Sequence, residues 1–223
     1  MSAPLKQPVS SFSPAYGCII MIAAVLVIGG IIGWSAFTFL VQDKVIAGLT
    51  VDTPAPLPPA SLPPEATAAL QKRLTEFATA ATSNQPAELA LTLAELNAIL
   101  PLAPDPGGGT FADKLHFTRT DPAANTLTAQ ASLPMNKKFW EKGFRYLVGE
   151  VTFRVYVDET TGPDAKVVDV KVPGKEVEPG LIRDMGRWPW LGFYQESALG
   201  PILKGIQHAQ VTPDGVLLST RKK

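Results

Sequence analysis

The sequence predicts an α+β protein: a membrane-spanning helix near the N-terminus, then one domain whose largely antiparallel sheet is covered on one face by helices. Three patterns carry that prediction. Residues 18–41 form an apolar run without a charged side chain. Residues 65–83 repeat their apolar positions at the helical period, and from Leu115 onward apolar and polar residues alternate as on strands with one wet face.

Residues 1–15 carry Pro4, Pro8 and Pro14 among serines without an apolar period, which predicts a disordered tail. Residues 16–49 follow as a transmembrane helix with a short extension. About 24 residues at about 1.5 Å each make a helix of about 36 Å, against a hydrocarbon core of about 30 Å. The run exceeds the roughly 7 to 15 apolar residues of a secretory signal and ends without a small-residue cleavage site. Cys18, the only cysteine, stands at its near end and reads as an inert boundary residue. Gly29 and Gly33 are spaced for close helix-to-helix packing in a bilayer. Lys6 and the terminal amine precede the run without an acid, while Asp43, Lys44 and Asp52 follow it. The positive-inside bias therefore predicts a single pass through an inner (plasma) membrane, with the N-terminus cytoplasmic and the C-terminal domain extracytoplasmic.

Residues 50–64 are a proline-rich spacer, expected to be extended at about 3 Å per residue and to hold the domain off the bilayer. The α+β domain spans residues 65–223. Its first helix places Leu70, Leu74, Phe77, Ala78 and Ala81 on one face and Lys72, Arg73 and Glu76 on the other. Pro64 and Glu65 suit the first turn, and Asn84 with Pro86 marks the stop. Residues 88–91 predict a short strand. The Thr92-x-x-Glu95 spacing then opens a short helix that ends at Pro101. Gly107, Gly108 and Gly109 lie in a flexible turn, because the Gly-Lys-Ser/Thr of a phosphate-binding loop does not follow.

Leu115 and Phe117 begin a hairpin whose second strand carries Leu127, Ala129, Ala131 and Leu133 inward and Thr128, Gln130 and Ser132 outward. A third strand points Val151, Phe153, Val155 and Val157 one way. Residues 161–164 turn the chain, and Val168, Val170 and Val172 return it. Pro179 starts a broken helical stretch, and a last hairpin turns at Pro213, Asp214 and Gly215.

This order, with the segment from Leu91 to Asn97, the pair Gly174 and Lys175 with Pro179, and the final Asp214-Gly215 hairpin, resembles uncharacterised, membrane-anchored bacterial envelope proteins. Those are similar to tubular lipid-binding (TULIP-like) domains. The resemblance covers nearly the whole chain and implies a curved sheet wrapped on a long helix. It supplies no catalytic residue.

The composition excludes several classes. Twenty basic and twenty acidic residues balance to zero charge, and no basic block is present, so nucleic acid is not an expected partner. His116 and His208 have no second ligand at metal spacing, Ser197 lacks the Gly-x-Ser-x-Gly elbow, and Asn97 reads as structural. Neither an enzyme nor a cofactor is expected. The unusual concentration is aromatic: Trp140, Trp188, Trp190, Phe193 and Tyr194, with Phe139, fit an apolar ligand site, a bilayer contact or packing of helix on sheet. The expected function is a non-catalytic envelope protein, partnered with the lipid bilayer, whose domain binds a lipid or other apolar ligand. An accessory or scaffold subunit of a membrane-protein complex is the alternative.

Overall fold

The computed structural model describes residues 44–102, 110–136, 143–188, 190–194, 197 and 199–220. The chain divides into two compact units, Met1–Gly48 and Leu49–Lys223. The expected membrane anchor is not borne out: no helix among the described residues is long and apolar enough to cross a membrane. The apolar run itself, with Gly29 and Gly33, lies outside the described residues.

The second unit is α+β with antiparallel pairing, but its strands form two sheets where one was expected. Strands β2 (Leu115–Asp121), β3 (Thr126–Asn136), β4 (Phe144–Asp158) and β5 (Gly162–Lys171) make a four-stranded meander. Strands β1 (Glu88–Thr92), β6 (His208–Val211) and β7 (Gly215–Ser219) make a three-stranded sheet in the order β1-β7-β6. Alternation shows that a strand has one buried face but not which other strand it joins, so the partition was not readable from pattern. The long helix α1 (Pro64–Thr82) buries Leu70 and Phe77 against Leu89 and Leu91 of β1 and against Ile206. It therefore packs on the smaller sheet, not on the meander.

Local chemistry explains the boundaries. Helix α2 (Leu93–Ile99) opens with the expected capping box: Thr92 Oγ1 accepts the Glu95 N–H at 3.2 Å and Glu95 Oε2 accepts the Thr92 N–H at 2.8 Å. Arg73 of α1 reaches Glu95 Oε1 at 2.6 Å and also donates to the Ala90 carbonyl. Burial alone would raise the Glu95 carboxyl, but the Thr92 N–H, the Arg73 guanidinium and the Thr92 hydroxyl outweigh it and hold it below its ordinary 4.5. The stability that Glu95 contributes is therefore complete above about pH 4.5 and is lost as pH falls through the lower, folded-state value. Glu95→Gln is expected to cost about 1 kcal/mol at pH 7 and much less at pH 3. Urea unfolding at the two pH values reads this difference; equal losses would mean that the charge contributes nothing.

The meander departs from the expected pattern in four places. Strand β4 begins at Phe144, well before Val151, and its early half pairs with the end of β3, including Pro134 opposite Tyr146. There β3 has no β2 neighbour, so the missing N–H of Pro134 interrupts no ladder. Second, β5 starts at Gly162, so the turn is residues 159–161, closed by Asp158 Oδ1 accepting the N–H groups of Thr160 and Thr161. Gly162 has φ +83°, and a Cβ there would lie 2.5 Å from the Leu203 carbonyl oxygen, so only glycine suits this corner. Third, Thr152 pairs with Asp169 while Phe153 pairs with Val167, which leaves Val168 as the extra residue of a bulge. Val167 and Val170 are buried as a result, and Val168, expected inward, is only half-buried.

Fourth, the outer face of β3 is not uniformly wet: Thr128 and Ser132 are buried and only Gln130 is exposed. Thr128 Oγ1 meets Thr152 Oγ1 at 3.3 Å, and Ser132 Oγ accepts the Ala55 N–H at 3.0 Å. The proline-rich segment thus lies on the domain at its start. Val51 and Tyr146 exchange both backbone hydrogen bonds, at 2.9 and 2.7 Å, and Leu62 packs beside Leu70 and Phe77.

Candidate functional site

Two asparagines tie the meander to its neighbours, Asn97 to α2 and Asn125 to the smaller sheet. Asn97 is buried on α2; its Nδ2 donates to the Phe117 carbonyl at 2.9 Å and its Oδ1 accepts the Phe117 N–H at 2.7 Å. The side-chain amide thereby continues the ladder at the β2 edge, beside a bulge between Phe117 and Arg119. Asn125 ends the β2–β3 turn at φ +54°, a conformation that asparagine tolerates better than most residues. Its Nδ2 donates to the Val155 carbonyl at 2.6 Å, and its Oδ1 accepts the Val211 N–H at 2.6 Å. One side chain therefore bridges β4 and β6.

Between the sheets held in this way lies a cavity of about 280 Å³. Phe117, Leu127, Phe153 and Val155 line it from the meander, and Leu91, Val216 and Leu218 from the smaller sheet. Leu96 and Ile99 reach it from α2, one helical turn apart, and Leu203 from α4 (Gly200–Gly205), which follows the short helix α3 (Pro179–Met185) in the chain. Helix α1 lends it no residue. The lining is apolar almost throughout, and Asp164 is its one charged side chain among the described residues.

The segment between α3 and α4 closes one side. Asp164 of β5 is buried, and its Oδ1 accepts the Leu191 N–H at 2.8 Å and the Ala165 N–H at 2.7 Å. This anchors the backbone next to Trp190. The indole of Trp190 stands edge-on to Phe153, with centroids 5.0 Å apart at 86°, and tilts against Phe111 at 6.4 Å. Tyr194 follows on a 3-10 turn and is buried against the same space. Its carbonyl accepts the Ser197 hydroxyl at 2.6 Å. On the far side of Asp164, burial first, then the Asp164 charge and hydrogen bond, raise the Tyr156 phenol above its ordinary value.

Of the five aromatic residues expected to hold a ligand, the structure brings Trp190 and Tyr194 to the cavity. Trp188 does not line it and is 55 % exposed. Trp140 and the side chain of Phe193 lie outside what is described. Sequence reasoning missed Phe111, Leu96, Ile99 and Asp164. The spacing of Leu96 and Ile99 was a usable signal. Nothing local marked Asp164, because it was expected in a turn, not in a strand. His116 and His208 lie on different sheets, and among the described residues no group of three or more His, Cys, Asp or Glu side chains could hold a metal. No family model, no curated protein and no solved structure matches the chain.

Proposed function

We propose that the unit at residues 49–223 is a non-catalytic binding module for a lipid chain or a similar apolar ligand, held between the two sheets. The observation that carries this reading is the cavity of about 280 Å³ with its apolar lining. The space is partly open to solvent, so its apolar walls are wetted unless an apolar group covers them, and each methylene buried against them contributes about 0.8 kcal/mol to holding the occupant. Trp190 and Tyr194 give the ligand aromatic walls, and the Asp164 hydrogen bond to Leu191 fixes the wall that carries Trp190.

The test is to purify the full chain, extract it with organic solvent and measure bound apolar compounds by mass spectrometry, beside a Trp190→Asp variant. About one equivalent is expected in the wild type, falling at least tenfold in the variant, because an unpaired charge on an apolar wall opposes an apolar occupant. A folded wild type that carries nothing, together with a specific membrane-protein partner on crosslinking, would replace this reading with that of an accessory or scaffold subunit.

A further inference from the structure

Beside the Asn125 clamp, two strand edges turn toward each other across the seam between the sheets. Val155 gives its N–H to the Asn125 carbonyl and accepts Asn125 Nδ2 on its own carbonyl, so alternation along β4 turns the N–H and C=O of Val157 the same way. Strand β3 begins at Thr126, opposite Arg154, and does not reach Val157. On the other bank, Thr212 exchanges both backbone hydrogen bonds with Gly215, whereas the Val211 N–H goes to Asn125. The N–H and C=O of Ala209 therefore also face the seam, and β6 pairs with no strand on that side among the described residues. Val157 and Ala209 line a groove there, with Asp158 and Glu159 following β4 on one bank and Lys204 of α4 on the other. The groove adjoins the inter-sheet cavity, because Val155, Ile206 and Ala209 line both.

We infer that the ligand is a single-chain amphiphile with an uncharged, hydroxyl-bearing head, such as a monoacylglycerol, whose chain fills the cavity and whose head lies in the groove between β4 and β6. The inference rests on the reading of the cavity as an apolar ligand site. An engineered apolar cavity of about 150 Å³ holds benzene, so by proportion about 280 Å³ takes about eleven heavy atoms, which is one chain of medium length. The cavity does not hold the head, because Asp164 Oδ1 in its lining already accepts two backbone N–H groups. A hydroxyl both donates and accepts, which matches edges that present N–H and C=O together. A head with net charge of either sign would meet like charge among Asp158, Glu159 and Lys204.

Four probes with the same chain length separate these claims: 1-monodecanoylglycerol, methyl decanoate, decyl sulfate and decyltrimethylammonium. They are titrated into the full chain, kept in solution with an amphipathic polymer whose own uptake of each probe is measured in parallel, while the backbone amide resonances are followed. The glyceride is expected to bind at least about threefold more tightly than the methyl ester, the gain of one neutral hydrogen bond or more, and alone of the two to move the Val157 and Ala209 amides. Both charged probes are expected to bind more weakly than the glyceride. Ala209→Pro, which removes the seam-facing N–H and leaves the β6–β7 ladder whole, should abolish most of the preference for the glyceride and leave the affinity for methyl decanoate within about twofold. Equal binding of glyceride and methyl ester by the wild type, or shifts confined to amides away from the seam, would overturn the head site while leaving the apolar cavity intact. A charged probe that binds as tightly as the glyceride would overturn neutrality, and no binding of any probe would overturn the reading of the cavity itself. The wild-type comparison decides these points even if the variant does not fold.

Discussion

Phe153→Ala is expected to lower the unfolding free energy by roughly 3 to 5 kcal/mol, whereas Thr152→Ala, next to it on β4, should cost less than about 1 kcal/mol. Phe153 is 4 % exposed and touches Phe117 and Trp190 edge-on, with centroids 6.3 and 5.0 Å away. Its removal loses both aromatic contacts and joins the space it vacates to the cavity already present. Walls that leave such a space unfilled around a full phenyl ring do not collapse onto a methyl group, which puts the loss toward the upper end. Chemical denaturation of the two variants measures it. Small, equal losses would show that the ring does not face the inter-sheet core.

Asn125→Leu should cost roughly 3 to 8 kcal/mol for a different reason. The substitution leaves the Val155 carbonyl and the Val211 N–H without partners, at about 1 to 3 kcal/mol each. It also forces a branched side chain into the left-handed region, at about 1 to 2 kcal/mol. Asn125→Gly removes the clamp and keeps the backbone comfortable, so its cost should be smaller by about that strain. Hydrogen exchange at the Val211 amide is expected to quicken in both variants. If Asn125→Gly proves neutral and the Val211 amide stays protected, the side chain does not hold the sheets together.

The contrast between these two residues shows what was legible in the sequence. Phe153 sits in a clean alternation with Val151 and Val155, so its inward direction follows from the pleat alone. The same holds for α1 and for the Thr92–Glu95 box, where local spacing is the cause of the structure. Asn125 could be placed in a turn, but its two partners come from strands far along the chain, and no local pattern encodes them. Val168 fails similarly: a bulge moves inward-facing positions by one, and the residues around it look no different from a regular strand. For the site, the aromatic composition pointed to Trp190 and Tyr194. The space they face depends on the division of the strands into two sheets, which is a property of pairing and not of period.

The position of β7 has a kinetic consequence. It is the middle strand of the smaller sheet, yet it follows every other described strand, and its neighbour β1 lies far upstream; the closing contact between Ala87 and Thr220 spans 133 positions. Closing so long a loop is slow compared with forming α1 or the meander hairpins, whose contacts are local. During synthesis the meander can pair strand by strand as it emerges, while α1 and β1 wait for a partner made only after the meander is complete. Until then Leu70, Phe77, Leu89 and Leu91 have no completed sheet to bury them, and β1 presents a bare edge. A translation product that stops before Gly215 would hold that exposed state permanently, and would be a substrate for chaperones and proteases even with its four-stranded sheet complete.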